Sequence, residues 1–140
     1  MNIQTILLRS IMTMERVDNL RVNKRLVDAL HSCDNSTHRK YIIGGASIYE
    51  EALTLKTKDA SPVVDRILLT RILSPSFEEC NVFFPEFRDT DKILAWRRSS
   101  HQELVDWLGF EVTEGIIEEK GIEYELQMWT RINPDASKTF

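Results

Sequence analysis

Cysteine is scarce in this sequence: 140 residues contain only Cys33 and Cys80. The two are far apart, form no CxxC pair and have no histidine at ligand spacing. That argues against a zinc site or a disulfide framework and leaves two buried free thiols as the expectation, with no metal. Long apolar runs are missing as well. Ile6-Leu7-Leu8 is too short for a signal-peptide core or a membrane span, and no small-residue cleavage site follows it, so a soluble, cytoplasmic protein with no membrane partner is expected. No repeat or low-complexity tract occurs. What is present suits one ordinary domain: 16.3 kDa, with 42% hydrophobic residues to supply a core. The net charge of −4 is unevenly spread. Residues 1–40 carry seven Lys and Arg against four Asp and Glu, an excess of +3 that leaves −7 for the remainder. So acidic a body argues against nucleic acid as a partner, while the basic start suits either a solvated surface or a compact anion such as phosphate.

Patterning divides the chain into alternating elements. Ile3 to Arg9 is a short apolar stretch that reads as a buried strand ending in a cation. From Asn23 to His31, Leu26, Val27 and Leu30 mark a short amphipathic helix with Asn23 as its cap. Lys40-Tyr41-Ile42-Ile43 is a strand candidate, followed by Gly44-Gly45 and then Ala46 to Leu53, whose composition is helical with acids in the first turns. Val63 to Leu73 is long and mostly apolar, which predicts a central strand buried on both faces, closed by Pro75. Asn81 to Pro85 is expected to be extended, because aromatics run directly into a proline. The final segment alternates: Ile122, Tyr124, Leu126 and Met128 share one strand face, and Glu123, Glu125 and Gln127 the other. Gly115 and Gly121 predict antiparallel partners joined by turns. The class is therefore α/β with an antiparallel edge.

The strand, glycine pair and helix at 40–53 carry the first chemical signal. At a helix start the backbone N–H groups lack partners and converge with the positive end of the dipole; glycines there take positive φ and let an anion reach the main chain. Ser47 could add a hydroxyl. Spacing alone leaves two meanings open, a phosphate site or a plain turn.

The segment Ile42-Ile43-Gly44-Gly45-Ala46-Ser47-Ile48-Tyr49-Glu50-Glu51-Ala52 resembles the Ile-Gly-Gly-x-x-hydrophobic-Tyr signature of the dihydrofolate reductases. Further matches follow in order. Asp65 to Ile72 resembles that family's central strand with its threonine, and Asn81-Val82-Phe83-Phe84-Pro85 its Asp-x-Phe-Phe-Pro element. Glu119 to Arg131 resembles its last hairpin and strand, most closely the fungal versions that end in Met-Trp-Thr-Arg. The matches cover most of 40–131. They imply a three-layer dihydrofolate-reductase-like α/β fold, with a mixed, mainly parallel sheet and an antiparallel C-terminal hairpin. Residues 1–131 would be an incomplete reductase domain and 132–140 a tail.

The resemblance also implies roles. Gly44, Gly45, Ala46, Ser47 and Ile48 would meet the pyrophosphate and nicotinamide side of NADPH, across a cis Gly44–Gly45 peptide. Ile43 would offer its carbonyl to the pterin amino group of dihydrofolate, with Tyr49 near that carbonyl and the nicotinamide. Without the motif, Tyr49 reads as a core-facing aromatic. Thr70 would support the catalytic carboxylate through a hydrogen bond; by itself it is a β-branched strand residue whose hydroxyl, if buried, needs a partner. Arg9 would approach the 2′-phosphate, with Leu8 in place of the family's hydroxyl residue, and Lys24 and Arg25 would lie near the adenosine. All three cations read equally as surface charge.

The family protonates the substrate with the help of one Asp or Glu on its first long helix. No carboxylate here matches it, and Glu50 and Glu51 read as solvent-facing helix acids. The matching helix, the first strands of the sheet and the closing loop are expected before residue 1. Two functions follow: NADPH-dependent reduction of 7,8-dihydrofolate, or a catalytically dead nucleotide- or partner-binding remnant of the same fold. A riboflavin-pathway reductase, which shares the fold, is disfavoured by the Phe-Phe-Pro and Met-Trp-Thr-Arg segments.

Overall fold

The computed structural model describes residues 3–6, 24–32, 39–56, 63–88 and 96–132, which fall into two compact units, Met1–Val63 and Val64–Phe140. Together they are mixed α/β with an antiparallel sheet.

In the first unit, β1 (Ile3–Ile6) pairs in parallel with β2 (Arg39–Ile42), from Ile3 opposite Arg39 to Ile6 opposite Ile42. Helix α1 spans Leu26–Ser32 and α2 spans Ala46–Thr54. The amphipathic pattern buries Leu26 and Ala29 of α1 and Ala52 of α2, and the two helices touch. The expected cap, Asn23, and the strand-ending Arg9 lie outside the described residues. Glu50 and Glu51 face solvent as expected. They begin one turn too late to complement the dipole, since the first turn of α2 holds no acid.

The second unit is built around β6 (Ile122–Arg131), which pairs antiparallel with three strands: β3 (Arg66–Ser74), β4 (Trp96–Arg98) and β5 (Ile116–Glu119). The β5–β6 hairpin turns through Lys120 and Gly121, both at positive φ (53° and 77°), the geometry of a type I′ turn. Helix α3 (His101–Leu108), which periodicity left unassigned, follows β4. Its signal is the capping box Ser100-x-x-Glu103. Ser100 Oγ accepts from the Glu103 N–H at 3.2 Å, and Glu103 Oε2 accepts from the Ser100 N–H at 2.8 Å.

Three expectations are corrected. Of the four strand pairings among the described residues one is parallel, so they are not mainly parallel. Among the described residues strand β3 is flanked by β6 alone, and it is not buried on both faces, since Leu68, Ile72 and Leu73 are exposed. An apolar run signals the capacity for burial, and burial itself requires neighbours. Cys80 is an exposed free thiol, not a buried one; Cys33 lies outside the described residues.

Both faces of β6 are covered near its end. The even-numbered face meets α3, where Arg66 lies over the Trp107 ring at 5.5 Å and Arg97 pairs with Glu103. On the odd-numbered face Phe87 packs edge-to-face against Trp96 and Trp129, with ring centroids 6.0 and 5.3 Å away. Gln127 is consequently buried, and its amide is satisfied along the strand. Its Oε1 accepts from Trp129 Nε1 at 3.0 Å, and its Nε2 donates to Glu125 at 2.8 Å. Arg131 is buried too. Its Nε donates to the Val64 carbonyl at 2.7 Å and its guanidinium stacks on Trp96, while burial lowers its pKa.

Candidate functional site

The route from β2 into α2 positions seven of the residues singled out by sequence. Gly44 (φ 120°) and Gly45 (φ 70°) reverse the chain between Ile43 and Ala46. An added Cβ would meet nothing within 4 Å at Gly44 and only Ile48 Cδ1, at 4.0 Å, at Gly45. The requirement for glycine is therefore conformational: positive φ forces an L side chain against its own backbone. Both glycines and Ser47 are exposed, so the bend is open. The Gly44–Gly45 peptide is trans, which corrects the expected cis form; Ser74–Pro75 is the cis bond among the described residues. Two successive positive φ values accomplish the reversal without it.

At the start of α2, Gly45 is the N-cap and offers no side chain to the helix. Its carbonyl accepts from Ile48 and Tyr49, both at 3.1 Å. The N–H groups of Gly45, Ala46 and Ser47 donate to nothing among the described residues. Three such amides at the positive end of a nine-residue helix are suited to receive an oxyanion. A diphosphate therefore fits the residues present.

Tyr49 is half-buried, and its hydroxyl accepts from the Gly44 N–H at 2.9 Å. It thus holds the Ile43–Gly44 peptide from its N–H side. In a trans peptide the carbonyl points the opposite way from the N–H, so the phenol engages the amide side of this peptide rather than the Ile43 oxygen. Ile43 itself is exposed.

The other predicted residues that the structure describes belong to other elements. Lys24 and Arg25 are exposed at the start of α1, where the Arg25 carbonyl accepts from the Ala29 N–H at 3.1 Å. Thr70 belongs to the second unit, mid-way along β3 opposite Leu126. It is exposed.

A cleft of about 210 Å³ that sequence patterning did not indicate lies in the second unit. Its walls are Leu69, Arg71, Phe84, Phe87, Gln127 and Trp129, with Pro85, Glu86 and Arg88 at the rim. None of the predicted site residues lines it. Arg88 binds Glu86 through both terminal nitrogen and Nε, at 2.7 and 2.8 Å, and chiefly this side-chain bonding lowers the Glu86 pKa to about 2. Among the described residues no group of three or more His, Cys, Asp or Glu is placed to hold a metal, and no helix is long and apolar enough to cross a membrane.

Comparison with known proteins agrees with the motif. The family model described as dihydrofolate reductase matches residues 2–112. A dihydrofolate reductase of Pneumocystis carinii is 39% identical over 95 residues, covering 67% of this chain and 42% of the relative. That of Cryptococcus neoformans is 35% identical over 121 residues, covering 74% and 52%. That of Candida albicans is 28% identical over 120 residues, covering 82% and 55%. The chain spans about half the length of the curated relatives it matches. By the family match over most of its length and its likeness to these fungal enzymes, the chain belongs to the dihydrofolate reductase family.

Proposed function

We propose that this chain is the cofactor-gripping part of a cytoplasmic, NADPH-dependent reductase that converts 7,8-dihydrofolate to 5,6,7,8-tetrahydrofolate, with residues 1–131 as its reductase-like domain. One observation supports the proposal: the amides of Gly45, Ala46 and Ser47, which have no partner among the described residues, stand at a helix start without a side-chain cap beside an open glycine bend. Those amides receive the diphosphate charge, with the Ser47 hydroxyl as a further donor. The Gly44 amide is not among them, because Tyr49 takes it. By holding that peptide, Tyr49 keeps the Ile43 carbonyl turned outward, where it accepts from the substrate's amino group. Ile48 supplies apolar contact beside the turn, Lys24 and Arg25 complement the adenosine end, and Arg9 the 2′-phosphate. Thr70 takes a supporting role toward the catalytic carboxylate of the whole reductase. NADPH, when bound, supplies the hydride that the reduction needs.

A second reading is binding without turnover. Its support is that the acids nearest the turn, Glu50 and Glu51, are exposed, whereas a proton-delivering carboxylate needs shelter from water to stay protonated near neutral pH. Titration of the 140-residue chain with NADPH tests the site. Saturable binding is expected, weakened about tenfold by Gly45→Ala, since the strain of a side chain at positive φ is roughly 1–2 kcal/mol. Absence of saturation in the millimolar range overturns the proposal. NADPH consumption with dihydrofolate then separates the two readings.

A further inference from the structure

Side chains on the odd-numbered face of β6 form a hydrogen-bonded chain with a fixed direction. Trp129 Nε1 donates to Gln127 Oε1 at 3.0 Å, Gln127 Nε2 donates to Glu125 Oε2 at 2.8 Å, and the other carboxylate oxygen accepts from Arg98 of β4. An indole nitrogen can only donate and an ionised carboxylate can only accept, so the two ends dictate which way the Gln127 amide faces. Gln127 is 4% exposed, and water is poorly placed to replace either bond. At its far end the chain holds the Trp129 ring, against which Phe87 packs edge-to-face, fastening the 84–88 segment to the strand.

Glu125 is the member whose charge can change. Arg98 reaches it from β4 and Arg71 lies opposite on β3; Glu123 follows on the same face of its own strand with Glu118 of β5 beside it, and the Glu86–Arg88 pair lies across the cleft that Gln127 lines. Hydrogen bonding from Gln127, then from Arg98, outweighs burial and holds the carboxyl below the ordinary 4.5. When a proton does bind, Arg98 keeps Oε1 and the proton takes Oε2, which then confronts Gln127 Nε2 donor against donor. Turning the amide over relieves the conflict. Its oxygen now accepts from Glu125, its nitrogen faces the Trp129 N–H, and the indole loses its acceptor. We infer that Glu125 and Gln127 form a proton-operated latch on Trp129, with two arrangements of one buried amide. The ionised form grips the indole; the protonated form releases it and loosens the packing of Phe87.

NMR of the 140-residue chain from neutral pH downward tests the latch, following the Trp129 indole N–H beside the Glu125 carboxyl carbon. The indole signal is expected to move with the same midpoint as that carboxyl, below 4.5, and at its acid end to exchange with solvent about tenfold faster, as for one lost hydrogen bond. Glu125→Gln should abolish the indole titration. Gln127→Leu should leave the Glu125 carboxyl titrating and the indole still, which keeps the test decisive even where Glu125→Gln does not fold. Glu86→Gln should change neither. An indole that stays put while Glu125 titrates overturns the inference, as does one whose titration survives either relay substitution or depends on Glu86. So does unfolding, read by circular dichroism, before Glu125 has titrated, for the bonds would then be a fixed brace.

Discussion

At Gly44 and Gly45 a property of single residues decides the geometry of the candidate site. Positive φ is available to glycine at little cost, so the turn was legible in the sequence as soon as two glycines stood between a strand and a helix. Tyr49 was legible only as part of a motif. Its hydroxyl reaches the Gly44 amide because the first turn of α2 brings a residue five positions on back over the bend, a contact that periodicity does not encode. Replacing it tests that contact: Tyr49→Phe removes one hydrogen bond and should cost about 1 kcal/mol. Hydrogen exchange at the Gly44 amide should accelerate several-fold, and unaltered exchange would show that the phenol does not hold the peptide. Thr70 is the converse case. Inside an apolar run it suggested a buried hydroxyl, and its exposure removes the need for a partner.

Elements were legible where local bonding defines them. The β5–β6 hairpin follows from strict alternation and a Lys120-Gly121 turn, and the start of α2 from its glycines. Helix α3 went unassigned although Ser100-x-x-Glu103 announces it, because its apolar stripe is short. The cap makes two predictions. Ser100→Ala should destabilise the second unit by about 1 kcal/mol in urea unfolding, within the usual range for a lost cap. Glu103 carries the pH dependence. The Arg97 side chain first, and the Ser100 amide second, lower its carboxyl from 4.5 to about 2. A carboxyl whose folded pKa is depressed stabilises the fold above the unfolded value and loses that contribution as protons bind. The contribution is thus complete above about 4.5 and disappears as pH falls toward about 2. In acid titrations at low salt, Glu103→Gln should be less stable than the parent near neutrality and converge with it in that window. Added salt should shrink the difference, because the pair is exposed.

For the whole molecule, the class α/β with an antiparallel edge was legible, since it needs only the kind and order of elements. A ligand that binds the folded chain alone raises its stability by mass action, and NADPH at a hundred times its Kd should add about 2.7 kcal/mol. A thermal melt with and without NADPH checks this; a shift of the same size in Gly45→Ala would place the nucleotide elsewhere. By itself the sequence determined what depends on neighbours along the chain: the positive-φ turn, the type I′ hairpin, the capping box and the family motif. Only the tertiary structure decided which faces are covered. Gln127, which alternation places on the face of Glu123 and Glu125, is buried beside Trp129 and Glu125, whereas Leu68, expected in a strand buried on both faces, is exposed. Periodicity fixes which side chains share a face through bonds a few residues long; whether that face meets water depends on segments such as Phe84–Arg88 and α3, brought over it from elsewhere in the chain.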